Sequence, residues 1–153
     1  MTAIAAWHAY AKSPDPAALQ ALLDPEVTFD SPVVFATQHG RAITAAYLTA
    51  ALSVLGTADF HYTGEWRNDH GAVLEFETII DGVTVNGVDI IRLTDDGARI
   101  AAFKVMIRPM KAVNIVHAKM GEMLARAQAA RDHIAPISRS SASGVNGSSP
   151  EPG

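Results

Sequence analysis

The chain has 153 residues, 48% of them hydrophobic and 18% charged, with twelve basic against sixteen acidic side chains and a formal net charge of −4. That size fits one domain, the apolar share excludes a disordered body, and the lack of any Lys or Arg run removes the attraction that nucleic-acid binding needs. No Cys is present, which excludes thiolate catalysis, disulfides and Cys-ligated metals; with no basic and apolar leader pattern and no apolar run of the ~20 residues that span a bilayer, a cytoplasmic protein without a membrane partner is expected.

The first segment, Thr2 to Lys12, carries Ile4, Trp7, His8 and Ala11 on one helical stripe. Asp15 then offers an N-cap carboxylate, Pro16 suits the first helical position, and Leu19, Leu22 and Leu23 supply the apolar face of a second helix that Pro25 closes. Val27 to Phe29 reads as a short strand and Val33 to Ala36 as a second, divided by Ser31-Pro32. Arg41 to Leu55, closed by Gly56, reads as a third helix.

Beyond Gly56 the apolar period changes from 3.6 to 2. Strands are predicted at 58–66, 72–80, 83–93 and 98–108, joined by turns at Asn68 to Gly71, Asp81-Gly82 and Asp95 to Gly97, with a bulge at Asn86-Gly87. Met110 to Arg131 is helically spaced. Helices, then a mostly antiparallel meander, then a helix give an α+β domain over 1–135, with helices on one sheet face. The stretch 136–153, rich in Ser, Gly and Pro, reads as a flexible tail.

The six His residues show no metal-ligand spacing and no Gly-rich phosphate loop occurs, so neither metal nor cofactor is expected. Apolar residues lie on both parities of the strands. Phe103, Val105 and Ile107 oppose Ala102 and Met106, a pattern that predicts helices on one face and a second subunit on the other, hence a homodimer.

Two blocks carry a resemblance. Ala21 to Pro32 with Gly40 and the third helix, and Gly87-Val88-Asp89-Ile90-Ile91-Arg92-Leu93 with Asp96-Gly97 and Ile107-Arg108-Pro109, together resemble the SnoaL-like families of the nuclear-transport-factor-2-like superfamily. The resemblance implies a conical barrel, in which a strongly curved sheet wraps around N-terminal helices and leaves an apolar pocket, often in a homodimer. Members include steroid isomerases, polyketide cyclases, epoxide hydrolases and dehydratases, so fold alone does not give the reaction.

Aligned with the ketosteroid isomerases, the protonated-acid position falls on Asp89, the base position on Ser31 and the tyrosine position on Trp7. A serine hydroxyl with no base beside it does not abstract a proton from carbon, and an indole donates without exchanging, which argues against that mechanism. The limonene epoxide hydrolase pattern is also unmet: its water-activating Asp would fall at Val105, and its Arg–Asp pair has no counterpart near Phe76 and Thr78.

Asp89 shares parity with Ile91 and Leu93. If that face lines the pocket, desolvation keeps the carboxyl neutral and makes it a hydrogen-bond donor; the competing expectation is a structural Asp paired with a buried backbone donor, Lys104 or Arg108. Asp30, Ser31 and His39 fall where the resembled fold has its pocket mouth, with Asp30 or His39 as the candidate base. Turn capping beside Pro32 is the alternative for Asp30 and Ser31. Trp7, Tyr10, Tyr47, Phe60, Phe76 and Phe103 are the candidate ligand wall, with Trp7 or Tyr10 supporting Asp89. His61 and Glu65, which alternate with Phe60 and Tyr62, are assigned to the outer face or an interface. The expected function is cofactor-independent binding of an apolar, oxygen-bearing small molecule, with acid-base isomerisation, cyclisation or dehydration as its chemistry; the other reading is a non-catalytic dimeric binding or association domain.

Overall fold

The computed structural model describes residues 1–134, so the assignment made for 136–153 lies outside the described residues. Elements follow in the order α1 (Ala3–Lys12), α2 (Pro16–Leu22), β1 (Leu23–Asp30), β2 (Gln38–His39), α3 (Arg41–Leu55), β3 (His61–Asn68), β4 (Gly71–Ile80), β5 (Val83–Leu93), β6 (Ile100–Arg108) and α4 (Met110–Ile134). The strands form one curved sheet in the order β2-β1-β6-β5-β4-β3, antiparallel except where β1 runs parallel to β6. The α+β reading holds, and the helices pack on the concave face. No helix among the described residues is long and apolar enough to cross a membrane.

Local chemistry sets the boundaries. Thr2 Oγ1 accepts from Ala5 N at 3.2 Å to start α1, and Asp15 Oδ1 accepts from Ala17 N at 3.1 Å to start α2. The turn between β4 and β5 uses Asp81 at φ 50° and Gly82 at φ 76°, the left-handed pair that a tight hairpin requires. Two expectations fail. Val33 to Ala36 is loop, because Ser31 Oγ accepts from Val33 N at 3.2 Å and Val34 N at 2.9 Å, removing donors that a strand would pair; the short strand lies at Gln38–His39 instead. Nor does β5 bulge at Asn86-Gly87: its pairing with β4 runs unbroken, with Phe76 opposite Gly87. Glycine is needed there for another reason, since a Cβ would overlap the Phe76 ring and stand 2.7 Å from the Met106 carbonyl oxygen.

The core lies between the concave face and the helices. Leu74, Phe76, Val85, Ile91 and Phe103 project inward and meet Ile4, Trp7 and Tyr10 of α1, Leu48 and Leu55 of α3, and Val116 of α4, all of them buried. Val73, Glu75, Val88, Ile90, Lys104 and Met106 alternate with these residues and form the convex face.

Candidate functional site

Asp89 is the one carboxylate in the buried set of the described core, at 6% exposure. It points inward because it pairs with Leu74 on one side and Val105 on the other, both of the concave parity. The ion pair with Lys104 or Arg108 that the strand order allowed is not formed; Lys104 lies across the sheet, 3.8 Å from Asp30. Asp89 instead accepts a hydrogen bond from the Tyr62 hydroxyl at 3.0 Å on Oδ2, and that hydroxyl accepts in turn from the Trp7 indole at 2.9 Å. Indole, phenol and carboxyl form one chain from α1 through β3 to β5. Among the described residues, Tyr62 is the only side-chain partner of Asp89, so its second oxygen is free to meet a ligand.

Burial pushes the Asp89 carboxyl up to about 7, against a smaller downward pull from the Tyr62 hydrogen bond. Near neutral pH the group therefore exists in both forms, and its neutral form is a donor. Burial and the charge of Asp89 also push the Tyr62 phenol above its ordinary value, which keeps it protonated.

Trp7, Phe60, Phe76, Phe103 and Val105 surround this pair, with Leu48, Ala51, Leu52 and Leu55 of α3 closing the wall. The space inside is about 30 Å³, the share of one water in the liquid and about a tenth of a small ligand site. Leu52, Phe60 and Tyr62 are half-buried while the rest of the wall is buried, so the cavity faces solvent between α3 and the start of β3.

The structure thus brings Asp89, Trp7, Phe60, Phe76 and Phe103 together and leaves the other candidates elsewhere. Asp30 stays on the convex face, where Oδ1 accepts from Thr37 Oγ1 at 2.6 Å, and Ser31 caps its own loop. His39 is exposed on β2, opposite Thr28. Tyr10 is buried behind Trp7, ring centroids 5.5 Å apart, and Tyr47 packs on Phe29 at 5.2 Å; neither lines the cavity. Tyr62 lines the cavity and bonds Asp89 although the candidate wall did not include it. Its parity with Phe60 was the available signal.

Glu65 corrects an expectation. The pairing of β3 with β4 slips between Tyr62 and Gly64, so Tyr62 faces Phe76 but Glu65 faces Leu74. The slip turns Glu65 to the concave side, where Oε2 lies 2.7 Å from His8 Nε2, and sends Trp66 outward to 60% exposure. Desolvation raises the Glu65 carboxyl, but hydrogen bonds from Arg67 and His8 outweigh it and hold the group below the ordinary carboxylate range. No group of three or more His, Asp or Glu side chains suited to a metal ion occurs among the described residues.

The family model of the SnoaL-like domain matches residues 4–103. No curated protein matches the chain significantly. Among solved structures, a steroid delta-isomerase from Pseudomonas aeruginosa is 32% identical with a TM-score of 0.77, over 83% of this chain and 92% of that one. An uncharacterized protein with a cystatin-like fold from Silicibacter pomeroyi is 28% identical with a TM-score of 0.74, over 85% and 92%. A hypothetical protein from Catenulispora acidiphila with a ketosteroid isomerase-like fold, in complex with trimethylamine, shares the fold at 19% identity and a TM-score of 0.54, over 78% and 92%.

Proposed function

This chain belongs to the SnoaL-like domain family, within the NTF2-like superfamily, and we propose that its cavity binds an uncharged, apolar small molecule through one oxygen atom. The observation that carries the reading is Asp89: a carboxyl buried among aliphatic and aromatic side chains, with Tyr62 on one oxygen and the other free. In its neutral form it donates to a carbonyl, hydroxyl or developing enolate oxygen, while the Trp7–Tyr62 chain fixes its orientation. The wall holds no second carboxylate and no imidazole among the described residues. The chemistry it supports is polarisation or protonation of a single oxygen, the acid half of an isomerisation or dehydration. The resemblance to a protein named a steroid delta-isomerase supports this ligand class. The present cavity is smaller than any ring, so binding requires the wall to part.

Ligand-observed NMR with uncharged cyclic ketones and phenols, against hydrocarbons and carboxylates of the same shape, tests the reading. The oxygen-bearing neutral probes bind at pH 6, more weakly at pH 8.5 as Asp89 ionises through about 7, and Asp89→Asn removes the pH dependence. Equal binding of the hydrocarbons, or wild-type binding that ignores pH, would refute it.

A second reading concerns the convex face. Glu75 and Glu77 on β4 and Lys104 and Arg108 on β6 flank Val88 and Ile90 on β5, with the half-exposed Met106 beside them. A two-fold axis through β5 would set the acidic strand of one copy against the basic strand of another over an apolar centre, and we propose a homodimer on this face. Sedimentation should give a dimer at micromolar concentration and a monomer for Met106→Glu; a monomeric wild type rejects the proposal.

A further inference from the structure

His8 and Glu65 stand behind Tyr62, outside the lining of the Asp89 cavity and outside the hydrogen-bond chain that serves the carboxyl. The His8 ring meets Tyr62 edge-on, centroids 5.2 Å apart and planes at 88°. Its Nε2 lies 2.7 Å from Glu65 Oε2, and Glu65 is held from behind by Arg67 Nε. The two side chains of the pair are 26% and 27% exposed, so the bond is partly exposed and not in the core.

Of the strands that line the cavity, the one that carries Glu65 and Tyr62 is the least secured. β3 is an edge of the sheet, paired to β4 alone, and its register slips between Tyr62 and Gly64, next to the wall residue Tyr62. Among the described residues, two side-chain hydrogen bonds tie α1 to β3: Trp7 to Tyr62 inside, and His8 to Glu65 outside. No backbone hydrogen bond joins the two elements. The rest of the wall is fixed more firmly. Phe76, Asp89 and Phe103 sit on strands paired on both sides, and Trp7 is packed on Phe103 at 4.7 Å. A cavity of about 30 Å³ admits a ring-sized molecule only if one wall moves, and β3 is the wall held on one side.

We propose that the Tyr62 segment of β3 is the door of this cavity and that the His8–Glu65 bond latches it to α1. The pair would then control the rates of ligand entry and exit without touching the ligand. The proposal rests on the cavity being a ligand site, but the movement can be measured without one.

The test uses hydrogen exchange of the Trp7 indole N–H, which is protected by Tyr62 and exposed when β3 swings out. In a Trp66→Phe background Trp7 is the single indole, since the chain has two Trp. Glu65→Ala removes the partly exposed bond to His8 and should speed Trp7 exchange about two- to fivefold, leaving the Leu74 amide in β4 unchanged. Conversely, His8→Cys with Glu65→Cys, bridged by a short bis-thiosulfonate, should slow Trp7 exchange more than tenfold and slow association of a ketone or phenol probe with it. Reduction should reverse both effects. The chain has no Cys of its own, so the reagent bridges there alone. The latch is overturned if Trp7 exchange ignores both changes, or if Leu74 accelerates in step with Trp7 in Glu65→Ala, the mark of general destabilisation. A latch that responds in a protein that binds no probe upholds the movement and refutes the ligand reading instead.

Discussion

Asp89 and Asp30 carry the same side chain on the same sheet and have opposite fates. Asp89 lies opposite Val105, and Asp30 lies opposite Lys104, the preceding residue on β6. That one step along β6 crosses the sheet. On the concave side the carboxyl is enclosed by aromatic and aliphatic groups with a phenol as its partner; on the convex side it has a hydroxyl at 2.6 Å, an ammonium at 3.8 Å and open solvent. Strand parity, not residue type, decides which aspartate can be a neutral acid.

The sharpest way to break the contrast is to replace the two neighbours on β6. Phe103 faces inward at 1% exposure against Trp7 and Phe29, so Phe103→Ala should cost about 4 kcal/mol through the cavity it leaves. Lys104→Ala, one residue on and facing out, should change stability by less than ~0.5 kcal/mol. Chemical denaturation of both variants checks the pair; similar losses would mean that the faces are not distinct.

Asp89→Asn comes next in size. Burial raises the folded-state value of this carboxyl from 3.8 to about 7, so between those values the folded protein holds a proton that the unfolded chain has released. The contribution is fully present below about 3.8 and is lost as pH rises through about 7. Wild-type stability should therefore fall across this window. Asp89→Asn should flatten the fall and be the more stable protein at pH 8, by about 2 kcal/mol. Denaturation at pH 5 and pH 8 is the measurement, and a wild type whose Asp89-dependent stability rises over this range contradicts the assignment.

The residues differ in how far the chain alone reveals them. Asp81-Gly82 is a hairpin turn on local grounds, and it sets Phe76 opposite Gly87 and Leu74 opposite Asp89. With Ile91 on the same parity, the chain places Asp89 on the Ile91 face; that this face is the inner one follows from the helices packed against it. The face of Glu65 is not readable in this way, because the slip between Tyr62 and Gly64 exchanges faces within β3, and nothing in Tyr62-Thr63-Gly64 marks its position. The partner of Asp89 is likewise a tertiary fact: a long side chain from a strand two places away reaches the carboxyl only once the sheet has curved. Val33 to Ala36 misleads for a different reason. Its apolar run satisfies a strand pattern, yet the donors it would use are taken by Ser31.

Tyr62→Phe probes the inner half of the contrast more gently. It removes the bond that pulls Asp89 down and leaves burial, which pushes it up, unopposed. The Asp89 carboxyl carbon, followed by NMR, should titrate above the wild-type midpoint of about 7, while stability falls by about 1–2 kcal/mol as the Trp7 indole also loses its acceptor. A midpoint that moves down would mean that something other than Tyr62 sets the proton affinity.

The smallest effect belongs to Asp30. Its carboxyl accepts from Thr37 and stands near Lys104 on a face where water screens both contacts, and exposed pairs of this kind contribute a few tenths of a kcal/mol. Asp30→Asn keeps an oxygen that can accept from Thr37 and gives up the attraction to Lys104. Its stability should therefore lie within ~0.5 kcal/mol of wild type, with the pH dependence that Asp89 imposes intact. Probe binding at pH 6 should also be unchanged, because Asp30 and the cavity lie on opposite sides of the sheet. If Asp30→Asn abolished binding or turnover while the fold held, the working base would lie on the convex side, and the division of labour between the two aspartates would have to be redrawn with the loop at 31–37 folded over into the site.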